Sequence, residues 1–342
     1  MIAILRKNAS DEAVSSIVSW IEGKGLTAHV SRGSNETVIG LVGDTTKIDP
    51  FLLESMDVVQ RVQRVSEPFK KANRKFHPAD TVIDFGGGIK IGGGAFQVIA
   101  GPCSVEGDNL IKIARRCKAA GATMLRGGAY KPRTSPYAYQ GMGERGLDLL
   151  LEAKAETGMP IVTEVMDVRD VELFVDRGID VMQIGARNAQ NFNLLKEVGK
   201  TSTPILLKRG IAGTIDELLM AAEYIMSEGN DNVMLCERGI RTFETRTRNT
   251  FDLNAVPALH YLPPLPVVAD PSHATGYTRY VEPMALAACA AGADALEIEV
   301  HDNPAEAWSD GAQALTPDQF DRTMERIRAI RSVVADMARE EA

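Results

Sequence analysis

The sequence predicts a parallel (β/α)8 barrel preceded by a small α+β domain. Three observations carry that expectation. From residue 97 onward, eight short β-rich runs alternate with amphipathic helical stretches, the pattern of a parallel sheet built from βα units. Nearly every one of those runs ends in an ionisable side chain, and barrel chemistry gathers at the carboxyl ends of the strands. Residues 1–70 follow a different order, βαββαβ, and a polar, basic stretch from Pro68 to Asp80 separates them from the rest. The 342 residues suffice for a barrel of about 250 residues with a small domain beside it.

In the leading segment, strand-like runs at 2–5, 27–30, 37–42 and 58–62 flank helical stretches at 10–24 and 46–55. This order is that of a ferredoxin-like sandwich, a frame that hosts many functions and by itself indicates only a separate packing or regulatory module. The next segment, 71–95, reads as a linker and a hairpin. Its glycine-rich run from Asp84 to Gly94 invites a phosphate-loop reading, but no Gly-Lys-Ser/Thr follows and the glycines precede a strand. A glycine-bounded hairpin plugging one end of the barrel fits better. The barrel itself, 96–342, has expected strands at 97–100, 123–126, 161–164, 181–184, 205–208, 233–236, 267–270 and 295–299, and a last helix near 316–338.

Composition narrows the class. An apolar share of 44% and a charged share of 25% describe a globular chain, and no apolar run approaches the ~18 residues of a membrane span. No signal-peptide core forms at the start, so a cytoplasmic protein is expected. Cys103, Cys117, Cys236 and Cys289 are scattered without paired spacing, which reads as reduced thiols. A net charge of −8 argues against nucleic acid or anionic membrane as partner unless the cations are gathered locally.

They are gathered. The strand ends present Cys103, Arg126, Glu164, Arg187, Lys208, Arg238, then Asp270 with His273, and Glu299 with His301. Cys103, His273, Glu299 and Asp310 would bring one thiolate, one imidazole and two carboxylates together, a mixed donor set suited to Mn²⁺, Fe²⁺, Co²⁺ or Zn²⁺. Each of these residues alone is ordinary; their shared position at one rim is what points to a metal. Glu297 shares a strand face with Glu299 and competes for the role, with Glu299 favoured as nearer the rim. Arg126, Lys131, Arg133, Arg187, Lys208, Arg209 and Arg238 form a cationic set whose mutual repulsion is tolerable only opposite a multiply anionic ligand, because guanidinium groups grip phosphate and carboxylate with paired hydrogen bonds.

Gly101-Pro102-Cys103-Ser104, Leu125-Arg126-Gly127-Gly128, Lys131-Pro132-Arg133-Thr134-Ser135, Ile184-Gly185-Ala186-Arg187, Leu207-Lys208-Arg209-Gly210, Cys236-Glu237-Arg238-Gly239 and Asp270-Pro271-Ser272-His273 together resemble 3-deoxy-D-arabino-heptulosonate 7-phosphate (DAHP) synthase, and the leading domain resembles that of its type Iβ branch. The resemblance implies a metal-dependent, aldol-type condensation of phosphoenolpyruvate with erythrose 4-phosphate, the opening step of the shikimate route to aromatic amino acids. It implies a divalent metal held by Cys103, His273, Glu299 and Asp310. Phosphoenolpyruvate would be held by Arg126, Lys131, Arg187, Lys208 and Arg238, and erythrose 4-phosphate by the segment containing Lys131, Pro132, Arg133 and Thr134. Lys131 would stand between the substrates as a proton donor. Glu164 would steady the cationic centre or orient water, or else serve as the ion-pair partner of a substrate-binding arginine. A homotetramer and feedback control by tyrosine or phenylalanine through the leading domain are further implications. The rival within the same barrel, 3-deoxy-D-manno-octulosonate 8-phosphate synthase, carries asparagine where this chain has the Lys-Pro-Arg-Thr pattern, and lacks the leading domain. A non-catalytic effector-binding role remains the rival of another class, and the complete ligand set argues against it.

Overall fold

A computed structural model describes residues 1–7, 9–32, 37–63, 68–74, 77–133 and 135–340. The chain forms two compact units, Met1–Pro68 and Phe69–Ala342.

In the first unit, β1 (Ile2–Leu5), β2 (Thr27–Arg32), β3 (Thr37–Val42) and β4 (Val59–Gln63) pair antiparallel in the order β2-β3-β1-β4. The helix Asp11–Glu22 starts where the Ser10 side chain accepts a hydrogen bond from the Ala13 backbone N–H, and it buries Val14, Ile17 and Ile21 at helical spacing against Ala3, Leu5 and Ile39 of the sheet. The second expected helix, 46–55, is broken into a 3₁₀ turn, Thr45–Lys47, and a short helix, Pro50–Glu54. Pro50 is the reason: it disfavours helical backbone at Asp49, which is extended and caps the second piece instead.

The second unit is the predicted barrel. Strands β5 (Ile83–Asp84) and β6 (Lys90–Ile91) form a hairpin. They are followed by β7 (Gln97–Gly101), β8 (Met124–Arg126), β9 (Ile161–Glu164), β10 (Val181–Ile184), β11 (Ile205–Lys208), β12 (Val233–Glu237), β13 (Val267–Ala269) and β14 (Ala295–Glu299). All eight pair parallel, and β14 closes on β7 from Ala295 opposite Gln97 to Glu299 opposite Gly101. The seventh strand stops one residue early because Asp270 leaves it to cap the helix Pro271–Thr275, accepting from the His273 N–H. The last helix, Pro317–Glu340, packs against the helices Asn109–Ala120 and Thr278–Ala290.

Side chains alternate along each strand. Ala100, Leu125, Ile161, Met182, Leu207, Leu235, Ala269 and Ile298 point outward to the helices. Ile99, Met124, Val162, Val181, Leu206, Met234, Val268 and Ala295 point inward, and with Ile83 and Ile91 of the hairpin they form an apolar floor. One inward step further along the same strands come Gly101, Arg126, Glu164, Gln183, Lys208, Cys236, Asp270 and Glu297. The polar site stands on that second layer. Among the described residues, no helix is long and apolar enough to cross a membrane.

Candidate active site

Cys103, His273, Glu299 and Asp310 each turn one donor atom to a common point, all four atoms within 4.8 Å of one another. Cys103 follows the end of β7, where a side chain on Gly101 would collide with the Arg126 carbonyl 2.1 Å away, so the turn into the site needs glycine. His273 lies on the helix capped by Asp270, and its Nδ1 is 2.7 Å from Asp270 Oδ2. That contact turns Nε2 toward Glu299 Oε1, 3.3 Å away. Asp310 is the one non-glycine among the described residues with left-handed backbone, at φ 54°, and its Oδ2 is 3.1 Å from Cys103 Sγ. Burial, then the Glu299 carboxylate, push the Cys103 thiol up to about 12. Burial opposes ionisation of Asp310 as well, but Arg248 and His273 hold it below the usual carboxylate range. A divalent cation fits this donor set: it would stabilise the thiolate and offset the repulsion between two carboxylates facing one point.

The two candidate carboxylates on β14 divide. Glu297 Oε1 accepts from Arg126 Nε at 3.1 Å, and its Oε2 lies 2.5 Å from Lys208 Nζ. Glu299 accepts from Arg126 Nη1 at 3.0 Å and from Gln313 Nε2 at 2.7 Å. Glu297, Asp270 and Cys236 also turn donor atoms to one point, but the Lys208 ammonium contacts both carboxylates there and already supplies the positive charge.

Above this layer a pocket is lined by Lys131, Pro132, Arg133, Glu164, Gln183, Arg187, Lys208, Arg238, Arg248, His273 and Asp310, among others. Lys131 Nζ donates to Cys103 Sγ at 3.0 Å and to the Cys103 carbonyl at 3.1 Å. Arg133 donates to the Tyr139 carbonyl and, at 2.6 Å, to Ser309 Oγ. Arg238 is buried and, among the described residues, donates only to the neighbouring Gly239 carbonyl, and burial draws its guanidinium below the ordinary arginine range. Arg187 is exposed at the pocket wall. Glu164 is 6% exposed, and its Oε1 has no hydrogen-bond partner among the described residues. Burial raises its carboxyl, with Lys131 and Lys208 partly offsetting that rise. Arg126 lies beneath the pocket with its carboxylate partners.

Two readings from sequence change. Arg209, counted with the rim cations, faces the other way: Nη1 pairs with Glu237 at 2.7 Å and Asp252 at 2.9 Å, and Nε donates to the Gly213 carbonyl. It follows Lys208 immediately at the end of β11, so the two take opposite faces. Glu164 is not tied to a substrate-binding arginine by any ion pair among the described residues. Thr134 lies outside the described residues. Two pocket residues were not singled out from sequence: Arg248, whose Nη1 donates to Asp310 Oδ1 at 3.0 Å and Gln313 Oε1 at 2.8 Å and which carries no local signal, and Gln183 in the pocket wall, whose signal is its inward polar place after Met182 on β10.

A closed parallel barrel with a mixed sulfur, nitrogen and oxygen donor set under a strongly cationic pocket defines the class of barrel proteins whose strand ends are built for polyanionic ligands beside a group of metal-ligating side chains. The family comparisons are specific within that class. Residues 72–334 match the family model described as DAHP synthetase I family, and residues 1–67 match the one described as DAHP synthase ferredoxin-like domain. The chain is 46% identical over 331 residues to a phospho-2-dehydro-3-deoxyheptonate aldolase of Thermotoga maritima, covering 96% of this chain and 97% of that one. The crystal structure of a phospho-2-dehydro-3-deoxyheptonate aldolase (DAHP synthase) from Thermotoga maritima aligns with a TM-score of 0.88 at 45% identity over 97% of each chain. A 2-dehydro-3-deoxyphosphooctonate aldolase of Syntrophobacter fumaroxidans is 31% identical over 268 residues, covering 73% of this chain. The chain belongs to the DAHP synthetase I family, and its leading unit is that family's ferredoxin-like domain. It is an enzyme that condenses phosphoenolpyruvate with erythrose 4-phosphate and water to give DAHP and inorganic phosphate, the opening step of the shikimate pathway. The family is generally metal-dependent.

Proposed function

We propose that Cys103, His273, Glu299 and Asp310 hold one divalent metal, Mn²⁺, Fe²⁺, Co²⁺ or Zn²⁺, and that the cations around the pocket divide the two substrates between them. The observation that carries this reading is the convergence of four donor atoms of the right chemistry beside a cation-rich pocket. When bound, the metal supplies Lewis acidity toward the aldehyde oxygen of erythrose 4-phosphate.

Arg126 and Lys208 are assigned to the carboxylate of phosphoenolpyruvate: Lys208 lines the pocket and Arg126 lies beneath it, and Glu297, Glu299 and Asp270 hold both cations in place. Arg187 and Arg238 have no carboxylate partner among the described residues and suit its phosphate, which supplies the charge they lack. Arg133 and Thr134, with Pro132 shaping the segment between Lys131 and Arg133, receive the phosphate of the aldose. The methylene carbon of phosphoenolpyruvate attacks the aldehyde carbon, and Lys131 Nζ donates a proton to the oxygen as it becomes a hydroxyl. Water adds to the cationic carbon left behind, with Glu164 taking its proton or holding it in line. The hemiketal phosphate then expels inorganic phosphate and leaves the keto acid.

The ferredoxin-like unit, on this reading, carries feedback control by tyrosine or phenylalanine, and the enzyme is a homotetramer. A cytoplasmic setting agrees with four free thiols, all buried. The test is phosphate release by chelator-stripped protein with Mn²⁺ restored, using erythrose 4-phosphate or arabinose 5-phosphate, with each amino acid then titrated in. Metal-dependent turnover of the four-carbon sugar alone is expected. Turnover without restored metal would refute the ligand assignment.

A further inference from the structure

Gly185 follows the last residue of β10 and lines the pocket, and its φ is not among the left-handed values, so backbone conformation does not explain a glycine here. The space above it does. A Cβ on Gly185 would lie 1.9 Å from Glu164 Oε1, 2.7 Å from its Cδ and 3.3 Å from its Oε2. Glu164 ends the neighbouring strand, β9, where it pairs in register with Gln183, two residues before Gly185. Its carboxyl therefore packs against the bare Cα of Gly185, with Oε1 foremost. It is buried, and among the described residues Oε1 has no hydrogen bond to hold it. The contact with Gly185 is the steric constraint that defines where an otherwise untethered acid sits.

We propose that Gly185 is a positioning residue: its missing side chain is the seat that sets the Glu164 carboxyl at the reacting carbon. This rests on the assignment of Glu164 to the water-addition step. An alanine would put its methyl ~1.5 Å inside ordinary contact with the carboxyl oxygen. The side chain with freedom to yield is Glu164, which moves into the space where substrate and water belong. A displacement of about 1 Å in a reacting group can cost on the order of 10²-fold in rate.

The experiment is a cycle of Gly185→Ala, Glu164→Ala and the double variant. The readouts are kcat, KM for each substrate, the Mn²⁺ dissociation constant from electron paramagnetic resonance, and the melting temperature. Gly185→Ala should lower kcat by roughly 10²-fold while KM for phosphoenolpyruvate and the Mn²⁺ constant change less than about threefold. In the Glu164→Ala background the same substitution should change kcat by less than about threefold, because the group it displaces is gone. Multiplying losses overturn the role of Gly185 and leave that of Glu164 standing. Near wild-type kcat in Glu164→Ala removes the reading of Glu164, and this inference with it. If Gly185→Ala does not fold, recovery of folded protein in the double variant supports the contact, and continued misfolding overturns it.

Discussion

The floor and the ceiling of the barrel are built by the same eight strands, one inward step apart, and they differ in almost every respect. At the floor Met124, Val162, Val181, Leu206 and Val268 meet one another and the hairpin residues Ile83 and Ile91, with no charge to balance. At the next inward position the same strands present Arg126, Glu164, Gln183, Lys208 and Asp270, all buried. Burying such groups costs free energy unless they are paired and hydrogen-bonded. The floor therefore supplies the stability that lets the ceiling be chosen for chemistry. Even within the ceiling there is a gradient: Arg126 and Lys208 are fully paired with carboxylates, whereas Arg238 and Glu164 are not. On this account the unpaired groups are those assigned to the substrate phosphate and the attacking water, and the paired cations are assigned to the substrate carboxylate.

Substitutions sharpen that division, the largest first. Arg209→Met breaks a buried ion pair outside the pocket and should cost about 3–5 kcal/mol of stability in urea unfolding, with KM for phosphoenolpyruvate within about twofold of wild type. A large rise in that KM would return Arg209 to the substrate site. Leu206→Ala, at the floor, should cost about 2–5 kcal/mol by the same assay and leave kcat of the folded enzyme unchanged. If kcat fell with stability, floor and ceiling would not be separable. Arg238→Ala should behave oppositely. Loss of a charged hydrogen bond to phosphate, about 1.5–3 kcal/mol, raises KM for phosphoenolpyruvate roughly 10- to 100-fold, while the substrate-free protein is no less stable, since no ion pair is broken. A fall in unfolding midpoint without a change in KM would contradict it.

The smallest effect is in the pH dependence of stability. Burial raises the Glu164 carboxyl above 4.5, so the folded enzyme keeps a proton there that the unfolded chain releases. Its contribution is fully present below the unfolded value and is lost as pH rises through the folded one. Glu164→Gln stays neutral throughout, so relative to wild type it should gain stability as pH increases above about 4.5. A constant difference across that range, followed by urea midpoints of metal-free protein, would mean that Glu164 is ionised in the fold.

Much of this architecture was legible in the sequence because the strand residues carry two signals at once. Leu125 with Arg126, and Leu207 with Lys208, pair an outward apolar residue with an inward polar one, and a period of two separates them. The same rule would have turned Arg209 away from the pocket, since Lys208 faces in. Glu297 and Glu299 share a face, and sequence could only rank them by height; Arg126 reaches both, and their division depends on Lys208 reaching the lower one and Gln313 and His273 the upper. Arg248 was hidden because it reaches Asp310 from a long loop between β12 and the helix Ala255–Tyr261, a meeting fixed by tertiary folding alone. The broken helix at 46–55 was legible in principle, from Pro50.

The most direct measurement is Mn²⁺ binding to chelator-stripped enzyme, followed by electron paramagnetic resonance, in wild type, Cys103→Ala and Cys236→Ala. One ion per chain, lost in Cys103→Ala and retained in Cys236→Ala, is the predicted result. Binding that survives in Cys103→Ala and disappears in Cys236→Ala would move the metal down to the group formed by Cys236, Asp270 and Glu297, and would contradict its assignment to Cys103, His273, Glu299 and Asp310.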